Sequence, residues 1–251
     1  MTRRAQNCWP GRWLMGACAF LALAGCDLPG KPQTEDMFVP PDQEVRFDYL
    51  YRTNCAGCHG AEGYFGPAPP LNNTLFLNIV PDEVLAMVIA GGRPQMLMPA
   101  FAHDRGGHLT DQQVAVLAGG IKARWLLTRA TPQDLPAYSI PESGRGNAQK
   151  GLAVFARACA SCHGAEGYGG SYGDKPTGRP VGAIHNPAFL ALISEQALRR
   201  YVITGRPDLE MPSYQDNMGR PEGFKPLSPA EIDDLVALLA TWKKEGATPG
   251  L

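Results

Sequence analysis

Two five-residue runs carry the chemistry of this chain, Cys55-Ala56-Gly57-Cys58-His59 and Cys159-Ala160-Ser161-Cys162-His163. Two residues between the cysteines, on a helical turn, point both sulfurs the same way, and the next residue sets an imidazole beside them. This spacing is the attachment signature of c-type haem, with two thioethers to the vinyl groups and the histidine under the iron. A zinc site wants four converging ligands, and here the histidine directly adjoins the second cysteine. A thioredoxin-like pair wants a βαβ context, which the surrounding sequence lacks. Of seven cysteines, Cys8 and Cys18 fall in an N-terminal leader and Cys26 directly follows it. The other four are Cys55, Cys58, Cys159 and Cys162, with no remainder.

The runs belong to a longer repeat. Residues 55–64 return as 159–168 at an offset of 104, identical at nine of ten positions. Gly92-Arg93-Pro94-Gln95-Met96-Leu97-Met98-Pro99 returns as Gly205-Arg206-Pro207-Asp208-Leu209-Glu210-Met211-Pro212 at an offset of 113. The second copy therefore holds nine extra residues, within Gly169–Arg179, and this Gly-rich stretch is expected to form a mobile flap.

Elements that could position the motifs recur in the same order. Helices are expected at Val45–Thr53 and Ala148–Ala158, before each cysteine pair. Apolar spacing at Val84, Leu85, Val88, Ile89 and at Ala197, Leu198, Tyr201, Val202 predicts a later helix in each copy. Capping boxes at Thr110/Gln113 and Ser228/Glu231, with Pro229 at the first helical position, open a terminal helix in each. No run alternates as a strand does, so the fold class is all-α. The domains read as 45–130 and 147–246, joined by a linker at 131–146 with prolines at 132, 136 and 141, and followed by a tail at 247–251.

The start of the chain reads as an address. Arg3, Arg4 and Arg12 precede an apolar run of 13 residues from Trp13 to Gly25, shorter than the roughly 20 that span a membrane. Leu23-Ala24-Gly25-Cys26 resembles the bacterial lipobox, which implies a signal peptide over 1–25 and lipidation of Cys26. Residues 26–44 are Pro-rich and read as a tether from the bilayer. With Lys+Arg 23 against Asp+Glu 24 and a net charge of −1, no overall basic surface for nucleic acid is present.

Over residues 45–246 the chain resembles class I cytochromes c. The resemblance implies two tandem domains, each a few helices around one covalently attached haem c with its iron. It implies His59 and His163 as proximal ligands and a methionine 30 to 50 residues onward, usually followed by proline, as the distal one. Met98 and Met211 fit, at 39 and 48 residues. Met96 competes with Met98, but its counterpart is Leu209, which cannot ligate iron. Met218 reads as loop or packing, and Met87 as core. Bis-histidine ligation by His103, His108 or His185 is the alternative, and none of the three has a counterpart in the other copy. The family also implies that the carbonyls of Pro67 and Pro180 accept from the proximal imidazoles. It implies packing of terminal helices through Gly151, Phe155 and Trp242, where the first copy has Phe47 and Tyr51. Arg93 and Arg206 are either partners of haem propionates or solvated turn residues.

Histidine and methionine together would fill both axial positions, which suits electron transfer. The expectation is a lipid-anchored electron carrier on the periplasmic side of a bacterial membrane, inner or outer. Its partners would be the bilayer, a quinol-oxidising complex or dehydrogenase, and an oxidase, reductase or soluble cytochrome. The alternative is a dihaem enzyme, such as a peroxidase or a thiosulfate-type dehydrogenase.

Overall fold

The computed structural model describes residues 37–93, 96–131, 134–141, 146–169 and 181–247. The leader, Cys26 and nearly all of the Gly-rich stretch at 169–179 lie outside these residues.

Among the described residues, ten α-helices follow in two sets of five. In the first copy they are α1 (Phe47–Asn54), α2 (Ala56–His59), α3 (Thr74–Ile79), α4 (Asp82–Gly91) and α5 (Asp111–Trp125). In the second they are α6 (Ala148–Ala158), α7 (Ala160–His163), α8 (Pro187–Leu192), α9 (Glu195–Thr204) and α10 (Pro229–Ala247). The only extended pairings among the described residues are isolated bridges, so the chain is all-α as expected.

Local chemistry starts most of these helices. Both capping boxes form: Gln113 N–H donates to Thr110 and Gln113 accepts from the Thr110 N–H, and Ser228 and Glu231 exchange the same pair of bonds. Asn73, Asn147, Asn186 and Ser194 accept from the third residue onward and open α3, α6, α8 and α9. Each cap satisfies an otherwise orphaned backbone N–H, worth about 1 kcal/mol. Helices α3 and α8 were not anticipated, because six residues are too few to show a period. Helix α1 starts at Phe47 rather than Val45, after Glu44 has folded back onto Arg46.

Residues 1–43 form one compact unit, with a 3-10 turn at Pro41–Gln43 and exposed Met37 and Phe38 among its described residues. Residues 44–251 form the other, and within it each copy has its own apolar core. Leu77, Leu117 and Ile121 sit at the centre of the first, and Leu190, Ile203, Ile232 and Leu235 at the centre of the second.

The cores meet. Helix α9 packs on α3, and Leu75, Ile79 and Met96 from the first copy lie against the second core. The linker is bound into this junction. Tyr138 is buried, receives a bond from Arg93 Nη2 at 3.2 Å, and gives its carbonyl to Gln196 Nε2 at 2.7 Å. Arg199, fully buried, donates to the Ala137 carbonyl and pairs with Asp233 on α10.

Candidate functional site

Each cysteine pair sits on one short turn, with the first cysteine at the helix start and the histidine as the last helical residue. In the first copy Cys55 N–H donates to the Tyr51 carbonyl at 2.8 Å and His59 N–H to the Cys55 carbonyl at 2.9 Å. The second copy repeats this with Cys159 to Phe155 and His163 to Cys159, both at 2.9 Å. None of these four cysteines is tied up in a disulfide, so each can form a thioether. Burial pushes the Cys55 and Cys159 thiols up to about 11, so neither is a poised thiolate of the redox-motif kind.

The proximal imidazoles meet backbone carbonyls; for His59 the carbonyl is not that of Pro67, whereas Pro180 lies outside the described residues. His59 Nδ1 donates to the Pro69 carbonyl at 3.0 Å, and His163 Nδ1 reaches the Gly182 carbonyl at 3.4 Å. These lie two residues beyond Pro67 and Pro180. The reason in the first copy is a bond from Ala68 N–H to the Cys58 carbonyl at 2.9 Å, which ties down the intervening residue and turns the next carbonyl toward the ring. Pro69 and Gly182 share the 113 offset, so the two contacts fall at matching positions of the repeat. A bond of this kind fixes ring orientation and leaves Nε2 free to ligate. Burial pushes the His59 imidazole below its ordinary value, toward the neutral form that binds metal.

The two methionine loops are superimposable in their bonding. Arg93 N–H donates to the Met98 carbonyl at 2.7 Å and Met98 N–H to the Arg93 carbonyl at 3.2 Å. Arg206 and Met211 exchange the same bonds, both at 3.0 Å. Leu97 and Glu210, just before each methionine, are left-handed at φ 61° and 62°. Gly92 and Gly205 open the loops at φ +67° and +65°, and a Cβ on either would come within 2.4 Å of the backbone that crosses it. Met96 packs against the second core. Met218 is exposed in a loop, as expected; Met87 is exposed on α4, not part of the core.

The lone histidines have other partners. His108 Nε2 meets Asn54 Oδ1 at 2.8 Å, and His103 opens a 3-10 turn. His185 lies between the rings of Tyr168 and Trp242, at 4.7 Å and 4.2 Å and nearly parallel to both.

Helix packing behind the turns follows the expected pattern in the second copy: Phe155 meets Trp242 edge-on at 5.2 Å, and Gly151 lies against the backbone of Asp234. In the first, Tyr51 and Phe47 both meet Trp125, at 5.0 Å and 6.2 Å. The surroundings of the cysteines differ between copies. Cys58 is exposed, whereas Gly219 lies over Cys162 and takes a bond from Ser161 Oγ at 2.7 Å. Thus the second attachment turn is the more covered one at the described residues.

Sequence comparison accounts for both copies. Residues 148–243 match the family model for cytochrome c, and residues 44–119 match that for cytochrome C oxidase, cbb3-type, subunit III. The chain is a c-type cytochrome with two domains. No curated protein matches the cytochrome. Among solved structures it is similar to a chain of the Kuenenia stuttgartiensis reducing HAO-like protein complex. That match has 18% identity over 82% of this chain and 99% of that one, with a TM-score of 0.43. A likeness that low carries no argument.

Cytochrome c domains hold covalent haem c, which supplies a one-electron iron couple. The donor set fits that group: two unpaired cysteines and an oriented imidazole on one turn, and a thioether on a doubly tied loop. Among the described residues no three His, Cys, Asp or Glu side chains converge as a separate metal site.

One cation near the first site escaped the sequence reading. Arg200 on α9 donates Nη2–H to the Pro70 carbonyl at 2.5 Å and stacks over Phe76 at 3.6 Å from the ring centre. Its Nε is buried with no partner. Its counterpart at the 113 offset is the exposed Met87, so the repeat held no signal for it.

Proposed function

We propose that the cytochrome is a dihaem electron carrier, with thioethers at Cys55, Cys58, Cys159 and Cys162, and with His59/Met98 and His163/Met211 as axial pairs. The observation that carries this reading is the recurrence of one arrangement in each domain. An attachment turn with its imidazole tied at Nδ1 is accompanied by a methionine loop closed by the same two backbone bonds. The position of Met96 against the second core supports Met98 as the free sulfur of its loop. With both axial positions filled by protein, an oxidisable substrate has no iron coordination site to enter, and the soft thioethers favour the ferrous state.

The lipobox-like Leu23-Ala24-Gly25-Cys26 supports anchoring on the periplasmic side of a bacterial membrane. There the protein would take electrons from a quinol-oxidising complex or dehydrogenase and pass them to an oxidase, reductase or soluble cytochrome. Similarity of the first domain to a subunit of cbb3-type oxidase supports a respiratory setting. The test is a haem and iron count on the purified protein, with a redox titration and assays for peroxide and thiosulfate turnover. Two haems, two one-electron steps and no turnover are expected. A single haem, or turnover by the wild-type protein, would overturn it.

A further inference from the structure

The junction between the domains gathers three arginines, and only one has a carboxylate. Arg206 is held by Asp208 through Nε at 2.9 Å and Nη2 at 2.6 Å. Arg93 reaches the Tyr138 hydroxyl. Arg200 has a carbonyl at one nitrogen, an aromatic face beneath it and a buried, unpartnered Nε. Among the described residues, no Asp or Glu pairs with Arg93 or Arg200. Burial lowers the Arg200 guanidinium to about 10, with Arg93 and Arg206 pushing the same way, so it remains a cation at neutral pH.

A partly desolvated cation without an anion is unfavourable, and a buried N–H without an acceptor, such as Arg200 Nε, costs about 1–3 kcal/mol. An arrangement of this kind implies a missing anion. A planar fork with Nε still open matches a carboxylate. The position of the guanidinium says whose carboxylate it is. Its Nη2 is anchored on Pro70, the residue after the one whose carbonyl orients His59. The group that attaches beside His59 brings two carboxylates of its own, the haem propionates.

We infer that Arg200 of the second domain is a haem-propionate ligand of the first domain, so that the first haem site is completed across the domain junction. Helix α9 thereby does two things, packing on α3 and neutralising a charge on the neighbouring cofactor. The assignment rests on the dihaem reading above.

The test uses the full-length, haem-loaded protein. Redox titration compares wild type with Arg200→Gln and Arg200→Lys, and Met98→Leu and Met211→Leu assign each step to its domain. Infrared redox-difference spectra follow the propionate carboxylates, labelled with ¹³C. Loss of a positive charge beside a haem disfavours its reduction. Arg200→Gln should shift the first-domain step about tenfold in its equilibrium, a fall of about 59 mV for one electron. The second step should stay in place and one propionate band should move. Arg200→Lys should keep most of the potential yet still move the band, because it keeps the charge and loses the fork.

A stability loss with both potentials and the bands unmoved would make Arg200 a mechanical clamp and overturn the assignment. A shift confined to the second-domain step would overturn it too. Should the glutamine variant not accumulate, the lysine variant decides, since an unmoved propionate band there is equally fatal. A protein with no haem on Cys55 and Cys58 overturns both this and the dihaem reading. Two haems with unmoved potentials and bands overturn this alone.

Discussion

Phe47 on α1 lies directly over Gly120 on α5, so close that a Cβ on the glycine would fall 2.1 Å from the ring. At the equivalent contact of the second domain the sizes are reversed. Gly151 on α6 receives the α10 backbone at Asp234 and the Leu238 side chain. The family-type glycine is absent from the first domain because the small residue moved to the facing helix. The contact between terminal helices is correspondingly more extensive in the second domain.

This reversal predicts a strong coupling. Gly120→Leu alone should destabilise the first domain by about 1–3 kcal/mol through overpacking. Combined with Phe47→Gly, which imports the pairing of the second domain, it should recover much of that loss. Urea denaturation of the haem-loaded variants in a double-mutant cycle measures the coupling. Additive losses would mean that the two side chains do not share one space.

The two methionine loops make separable spectroscopic predictions. Met98→Leu and Met211→Leu should each remove about half of the methionine–iron charge-transfer absorbance of the oxidised protein. Met96→Leu should preserve it and cost only packing against the second core. Loss of the band in Met96→Leu, with retention in Met98→Leu, would reverse the choice of sulfur.

Glu44 gives a pH dependence. Its side chain, 5% exposed, is bound by Arg46 through both the guanidinium and the backbone N–H, and these bonds hold its carboxyl at about 2 instead of 4.5. A depressed carboxylate stabilises the fold fully above its ordinary value, and the contribution disappears as pH falls through the depressed one. The thermal midpoint of Glu44→Gln should therefore lie below wild type at pH 7. The gap should narrow from pH 4.5 downward and close near pH 2. A gap independent of pH would assign Glu44 a packing role only.

Lipid anchoring at Cys26 is tested at the mature N-terminus. Mass spectrometry should find an acylated cysteine as the first residue, and Cys26→Ser should release the protein from the membrane fraction. A free amine elsewhere would rule it out.

The chemistry of the chain was written in adjacent residues and in repetition. A cysteine pair and histidine form one turn by themselves, capping boxes start helices from three residues away, and two copies in one chain show which methionine has a partner. These are short-range facts, which is why Ala148–Ala158 was legible to the residue and both terminal helices were found by their caps. The tertiary structure decided what depends on approach between distant segments. Which carbonyl reaches His59 was set by the tie from Ala68 to Cys58, and which side of a helix contact carries the glycine was set by the pairing of α1 with α5. Arg200 and Met87 occupy the same position in the repeat, one half-buried against the neighbouring domain and the other open to solvent. A repeat makes its members alike, whereas packing one copy on the other makes them different, because only one face of each copy can lie in the junction.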